Sequence, residues 1–160
     1  MSASFILGVD PGLNGAIGVV STEGGLLEVI DMPTVEVKVG KSTKRRISSE
    51  LLAHELRPWA MAEAAYVEAV AASPQMGVSS AFAFGEALGI LKGALAALQI
   101  PVVMVPPAKW KRDLKLNASK DGSRAKAVAL WPDMAGEFRR AKDADRAEAA
   151  LLAEWGRLFG

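Results

Sequence analysis

The chain has 160 residues, 51% of them hydrophobic, which favours one domain with a full-sized core and argues against disorder. It has no cysteine and a single histidine, His54, so disulfides, thiolate zinc sites and cysteine nucleophiles are excluded together. Any metal would be held mainly by carboxylates, which favours Mg²⁺ or Mn²⁺ over zinc.

The net charge of +1 hides two basic blocks. Lys38, Lys41, Lys44, Arg45 and Arg46 follow one another with no acid between them. Lys109, Lys111, Arg112, Lys115, Lys120, Arg124 and Lys126 face only Asp113 and Asp121 in their stretch. Basic blocks in a near-neutral chain suggest a polyanion partner, against the plainer reading of solvated loops and helix faces.

Residues 5–10, 15–20 and 26–32 read as three strands on short turns, Pro11-Gly12 with Asn14-Gly15 and then Glu23-Gly24-Gly25, hence an antiparallel meander. Residues 33–47 read as a basic loop. Ser48 or Ser49 can cap a helix carrying Leu51, Leu52, Leu56 and Trp59, ended or kinked by Pro58. Residues 64–70 form an apolar run that fits a buried strand, a loop with Ser73-Pro74 follows, and 78–98 is a long helix. Residues 101–105 read as a further buried strand, 107–114 and 121–131 as short helices, and the last helix runs from Asp143 to about Leu158. A hairpin start followed by strand–helix alternation predicts an α/β fold with a five-stranded mixed sheet, the two later strands parallel to the first and helices flanking it. No basic region precedes the short apolar N-terminal run, and the stretch 93–108 is too broken to span a bilayer, so a soluble, cytoplasmic protein with no membrane partner is expected.

Asp10 and Glu68 each stand near the end of an apolar strand, where a charge costs desolvation unless it is paired or binds a cation. If the strands are neighbours they lie about 4.8 Å apart, and a divalent ion relieves the repulsion between the two carboxylates. In the last helix Asp145, Glu148, Leu152, Trp155 and Phe159 form one stripe. Its apolar half must face the core, which places Asp145 and Glu148 inward, where acids are unusual without a positive partner. The plainer reading has Asp143 or Asp145 capping the helix and Glu148 pairing with Arg146 or Lys142. Three or four such carboxylates can hold two divalent ions about 4 Å apart, the arrangement that activates water and stabilises the leaving oxygen in phosphodiester hydrolysis. Lys109 or Lys120 can stabilise the charged transition state, and the basic blocks can contact phosphates through Lys44, Arg45, Arg46, Lys109, Lys111, Arg112, Lys120 and Arg124. Trp110, set among lysines, either stacks on a base or sugar or anchors its segment in the core, and the second reading is preferred. His54 reads as a helix-face residue.

The chain resembles the RuvC family of Holliday junction resolvases, within the ribonuclease H-like superfamily. Gly8-Val-Asp10-Pro-Gly12 is similar to that family's first motif and Tyr66-Val-Glu68 to its second. Ala83-Phe-Gly85-Glu-Ala-Leu-Gly89 resembles the start of its central helix, and Ser119 to Pro132 with Lys142 to Leu152 resembles the short phage-type members. The resemblance runs in order over nearly the whole chain. It implies a single ribonuclease H-like nuclease domain over 1–160, with Asp10, Glu68, Asp145 and Glu148 as the metal-binding catalytic set, two Mg²⁺ or Mn²⁺ ions, and basic Lys109 and Lys120 near the scissile phosphate. It also implies a homodimer that resolves four-way junctions by paired symmetric nicks, in a bacterial or phage-infected cell. The family's last acid is usually Asp, so Asp143 competes with Glu148 for the fourth position. The aromatic often found after the second acid is absent from Ala69-Val70-Ala71-Ala72. The Gly85, Gly89 and Gly93 stripe serves either a dimer contact or packing of the helix on the sheet.

Three other readings share some of these features. Actin-like ATPases and sugar kinases open with a similar motif but need two domains. Gly40-Lys41-Ser42 ends like a nucleotide P-loop, yet Val35 stands where the first glycine belongs, so no nucleotide cofactor is expected. A ribonuclease H-like nuclease for RNA or flap DNA, and a non-catalytic DNA-binding module, keep the same fold.

Overall fold

In a computed structural model, residues 3–160 are described. The meander forms as its apolar runs and tight turns predict: β1 (Phe5–Asp10), β2 (Ala16–Ser21) and β3 (Leu26–Asp31) pair antiparallel. The chain from 33 to 47 is not a loop. It forms a separate two-stranded ribbon, β4 (Thr34–Val39) with β5 (Ser42–Ile47), in unbroken register. Gly40-Lys41 is its turn, so the P-loop-like triplet is hairpin geometry, with Gly40 at φ +64°.

Ser48 caps α1 (Ser49–Leu56) by accepting from Leu51 N–H, and a 3₁₀ turn carries Pro58. Leu52 and Leu56 are buried while Leu51 lies on the outer face, with His54 also exposed. Then come β6 (Ala64–Glu68), α2 (Val78–Ala97), β7 (Val102–Val105), α3 (Pro107–Asp113), α4 (Lys120–Leu130) and α5 (Ala144–Phe159). Residues 132–138 and 141–143 add 3₁₀ turns before α5.

The main sheet has the order β3-β2-β1-β6-β7, with β6 parallel to β1 and β7 parallel to β6. This is the five-stranded mixed α/β sheet that the pattern predicts. Alternation sorts each strand's side chains into two cores. Leu7, Val9, Ile17, Val19, Ala65 and Val67 pack with α1 and α2, whereas Ile6, Val20, Tyr66 and Val105 pack with α3, α4 and α5.

The close seat of α5 decides where its acids stand. Gly8 and Gly18 are register partners on β1 and β2. A Cβ on Gly8 would run into the backbone of Ala149 and Ala153, and one on Gly18 into Ala150. Two bare strand positions facing an alanine-rich helix let backbone approach backbone. The N-terminal end of α5 is thereby drawn to the rim where β1 ends. The predicted stripe holds through Leu152 and Trp155, both buried, and ends there. Phe159 is 54% exposed and stacks on Trp155 with ring centres 6.1 Å apart.

Among the described residues, α2 alone is long and apolar enough to cross a membrane by length and composition. Its Ala87, Leu91 and Leu95 are buried in the core beneath the sheet. Its opposite side is open among the described residues: Val78 and Phe82 are exposed, and none of those residues comes within 4 Å of a Cβ placed on Gly85, Gly89 or Gly93. The glycine stripe therefore does not serve packing of the helix on the sheet.

Candidate active site

Asp10 ends β1, and Glu68 ends β6 one step past the Val9–Val67 pair, so both carboxylates reach the same rim. Gly12 N–H donates to Asp10 Oδ1 at 3.2 Å. α5 brings Asp145 and Glu148 from above. One carboxylate oxygen from each of Asp10, Asp145 and Glu148 lies within 4.8 Å of the others, a grouping able to hold a metal ion. Glu68 stands outside that trio but is electrostatically coupled to both Asp10 and Glu148. Its Oε2 accepts the indole N–H of Trp110 at 2.9 Å.

Two lysines complete the cluster. Lys120 Nζ donates to Asp145 Oδ1 at 2.9 Å and Glu148 Oε2 at 2.7 Å. Lys111 Nζ lies 3.0 Å from Glu148 Oε1, and Ser123 Oγ donates to the same oxygen at 3.4 Å. Together these three partners explain how a carboxylate only 4% exposed stays charged. Glu148 pairs with neither Arg146 nor Lys142, the neighbours that sequence proximity favoured.

The protonation balance of the rim is uneven. Burial pushes the Asp10 carboxyl up to about 6, and the charges of Asp145 and Glu68 add to this against the Gly12 hydrogen bond and Lys120. Burial also raises Glu68, partly offset by the Trp110 hydrogen bond. For Glu148 burial acts in the same sense, but the hydrogen bonds and charges of Lys120 and Lys111 outweigh it and hold the group below its usual range. Lys120 is affected by burial in the opposite sense, yet Glu148 and Asp145 hold its ammonium charged to higher pH than usual. The rim thus carries more negative charge than its two lysines neutralise. An all-oxygen donor set with surplus charge fits a hard divalent cation.

Asp143 takes a different part. It is 2% exposed, and Arg140 grips it by side chain and backbone, with Nη2 to Oδ1 at 2.8 Å and N–H to Oδ2 at 2.8 Å. This capping box closes the turn before α5. The acid that joins the rim is therefore Glu148, one turn into the helix.

The predicted basic contacts divide. Lys120 and Lys111 stand in the cluster. Lys109 does not; its ammonium sits 5.9 Å from the centre of the Trp155 ring. Arg112 is 74% exposed beside Asp113. Arg124 departs from the expected phosphate contact, because it donates to Asp121 and to the carbonyls of Phe138 and Arg139 and so ties α4 to the 3₁₀ segment. Lys44 donates to Ser79, Arg46 pairs with Glu86, and Arg45 donates to Leu13 O at 2.6 Å and Asn14 Oδ1 at 2.8 Å. These three fasten the β4–β5 ribbon to α2 and to the β1–β2 turn. Trp110 is fully buried, so it is the core anchor and cannot stack on a base. Its role at Glu68 carried no signal in the sequence beyond an indole placed in a lysine-rich helix. A cleft of about 540 Å³ adjoins the rim, lined by Asn14, Arg45, Arg140, Lys142, Asp145 and Arg146 among others.

Fold and rim together define an α/β domain with the RuvC fold and a carboxylate cluster at the ends of its central strands. Its structure is similar over its whole length to T. thermophilus RuvC in complex with Holliday junction substrate, with TM-score 0.63, 20% identity and 97% of that chain covered. A second Thermus thermophilus RuvC structure matches with TM-score 0.55 and 18% identity, covering 96% of this chain and 94% of that one. In sequence, 103 residues, 63% of the chain, are 35% identical to the chloroplastic Holliday junction resolvase MOC1 of Chlamydomonas reinhardtii. The chain matches only 12% of the length of that relative. No family model matches the chain.

Proposed function

We propose that this protein is a Mg²⁺- or Mn²⁺-dependent endonuclease that resolves four-way DNA junctions by paired nicks. The observation that carries the proposal is the meeting of Asp10, Asp145 and Glu148 within 4.8 Å, beside Lys111 and Lys120, on a RuvC fold. The similarity to a Holliday junction resolvase over more than half of the chain supports branched DNA as the substrate.

Asp10, Asp145 and Glu148, with Glu68 beside them, would hold the metal. Bound there, divalent ions supply an activated water and stabilise the leaving oxygen of the phosphodiester. Trp110 fixes one oxygen of Glu68, which restricts how that carboxylate can turn. Lys120 and Lys111 hold Glu148 ionised, and Ser123 helps to keep it in place. Lys120, 56% exposed at the first turn of α4, is the cation able to leave its carboxylates and meet a phosphate arriving from solvent. Symmetric cutting needs two sites. The open α2 face, with Val78, Phe82 and three uncovered glycines, supports pairing of two copies there.

The test is incubation of the protein with a labelled four-way junction and Mg²⁺ or Mn²⁺, beside linear duplex, fork, single-strand and RNA–DNA controls. Paired nicks at symmetric positions in the junction are expected. Equal cutting of linear duplex would remove the junction assignment and leave a nuclease, and preference for the RNA-containing substrate would transfer the site to RNA processing.

A further inference from the structure

We infer that the β4–β5 ribbon is a second DNA-binding element, one that grips a duplex arm at a fixed short distance from the carboxylate rim. The inference rests on the proposed action on branched DNA and adds an element to it.

The ribbon stands apart from the main sheet, and its strands are mostly exposed. A lone two-stranded hairpin is marginally stable in water, so it needs anchors. Here they lie toward its base and on the side facing α2. Ile47 is buried, Ser48 N–H donates to Pro33 O at 3.0 Å, Lys44 reaches Ser79 and Arg46 reaches Glu86. Arg45 adds the most telling contact. It holds Leu13 O and Asn14 Oδ1 in the turn that follows Asp10, so the ribbon and the first acid of the rim share one frame.

The distal end differs. Lys38, opposite Thr43, and Lys41, in the turn, are exposed and have no side-chain hydrogen bond or ion pair among the described residues. Glu36 is the ribbon's one acid, and it lies opposite Arg45 rather than near the tip. Proximal cations thus fasten the ribbon, while distal cations are left for an outside anion. A two-stranded ribbon is the width that a DNA major groove admits. Six residues per strand at about 3.3 Å each reach no more than about 20 Å, or roughly six base pairs along an arm. The tip is therefore placed to contact backbone phosphates within about half a helical turn of the cut.

The experiment measures junction binding by the Lys38→Ala/Lys41→Ala variant against the parent chain, each also carrying Asp10→Asn so that DNA is held uncut. Affinity is followed across a salt series, with hydroxyl-radical footprinting of the arms. Each lysine that neutralises a phosphate contributes about 0.9 to the slope of log affinity against log salt. The slope should therefore fall by about two. Protection within roughly six base pairs of the cut should vanish on the arm while protection at the cut persists. Both lysines are exposed and unpartnered, so the thermal midpoint should not move. An unchanged slope and footprint, in a protein whose wild type cuts junctions, overturn the ribbon's role alone. A wild type that neither binds nor cuts junctions overturns the proposed function, and the ribbon's role with it.

Discussion

Two groups of acids lie close to one another around the start of α5, and they are treated in opposite ways. Asp143 and Asp31 each have their own arginine: Arg140 grips Asp143, and Arg146 forks onto Asp31 with bonds of 2.7 and 2.8 Å while also reaching Glu137. Those arginine hydrogen bonds are the main reason both carboxyls lie below their usual range. Among the described residues, Asp10 and Glu68 have no cationic hydrogen-bond partner, and burial raises both. Asp145 and Glu148 share Lys120, and Lys111 also meets Glu148. The first group is ionically satisfied and braces the helix entry. The second, four carboxylates against two lysines, keeps a surplus of negative charge, which is what the proposed metal site requires. Proximity in sequence does not separate them; ownership of an arginine does.

The sharpest test of that contrast replaces Asp10. Asp10→Asn should lower cleavage by roughly 10³-fold, comparable to losing a principal transition-state contact, while junction binding persists. Cleavage at the normal rate would remove Asp10 from the site. Lys120→Met should slow cleavage by about 10²-fold. It should also bind Mn²⁺ more tightly without DNA, because Lys120 then no longer competes for Asp145 and Glu148. If metal affinity also falls, Lys120 supports the site rather than screening it.

Trp110→Phe keeps an apolar ring and deletes the N–H on Glu68. Outer-shell partners of metal ligands are worth about 10–100-fold, so the Mn²⁺ concentration for half-maximal cleavage should rise by about tenfold. An unchanged Mn²⁺ requirement would show that Glu68 needs no fixing. In the other group, Arg140→Ala leaves a buried carboxylate unpaired. It should lower the thermal midpoint by several degrees and leave cleavage at low temperature within about twofold of wild type. Loss of cleavage without loss of stability would erase the division between the two groups.

The smallest effect is on pH. Asp10 has a folded value of about 6 against an ordinary 3.8, so between these values the folded state binds more protons than the unfolded one. Stability of the metal-free protein should therefore rise as pH falls through about 6. Asp31, Asp143 and Glu148 shift the other way and lose their contribution only at lower pH. Melting curves between about pH 7 and pH 5 should show the gain, and Asp10→Asn should reduce it to the part that Glu68, whose carboxyl burial also raises, still supplies. An equal gain in the Asp10→Asn variant would assign it to another group.

Much of the fold is legible because short apolar runs bounded by turn residues mark buried strands, while a long apolar run marks a helix. β1, β2, β3, β6 and β7 and the long α2 fall within two residues of the predicted ranges. The ribbon was hidden behind its charge. Thr34-Val35-Glu36-Val37-Lys38-Val39 alternates as a strand should, and Gly40 supplies the turn, yet five basic residues suggest a solvated loop. Its stability comes from contacts to α2 and the β1–β2 turn, which are remote in sequence.

By itself the sequence determined which residues bear charge at strand ends and on the inward stripe of the last helix, since local periodicity fixes which way a side chain points. It could not choose between Asp143 and Glu148, nor show that Arg124, Arg45 and Arg46 turn back onto the protein, nor join Trp110 to Glu68. Those outcomes depend on which side chains and carbonyls the fold brings within hydrogen-bond reach. Only the tertiary structure decided them, by seating α5 on Gly8 and Gly18 and closing Arg140 over Asp143.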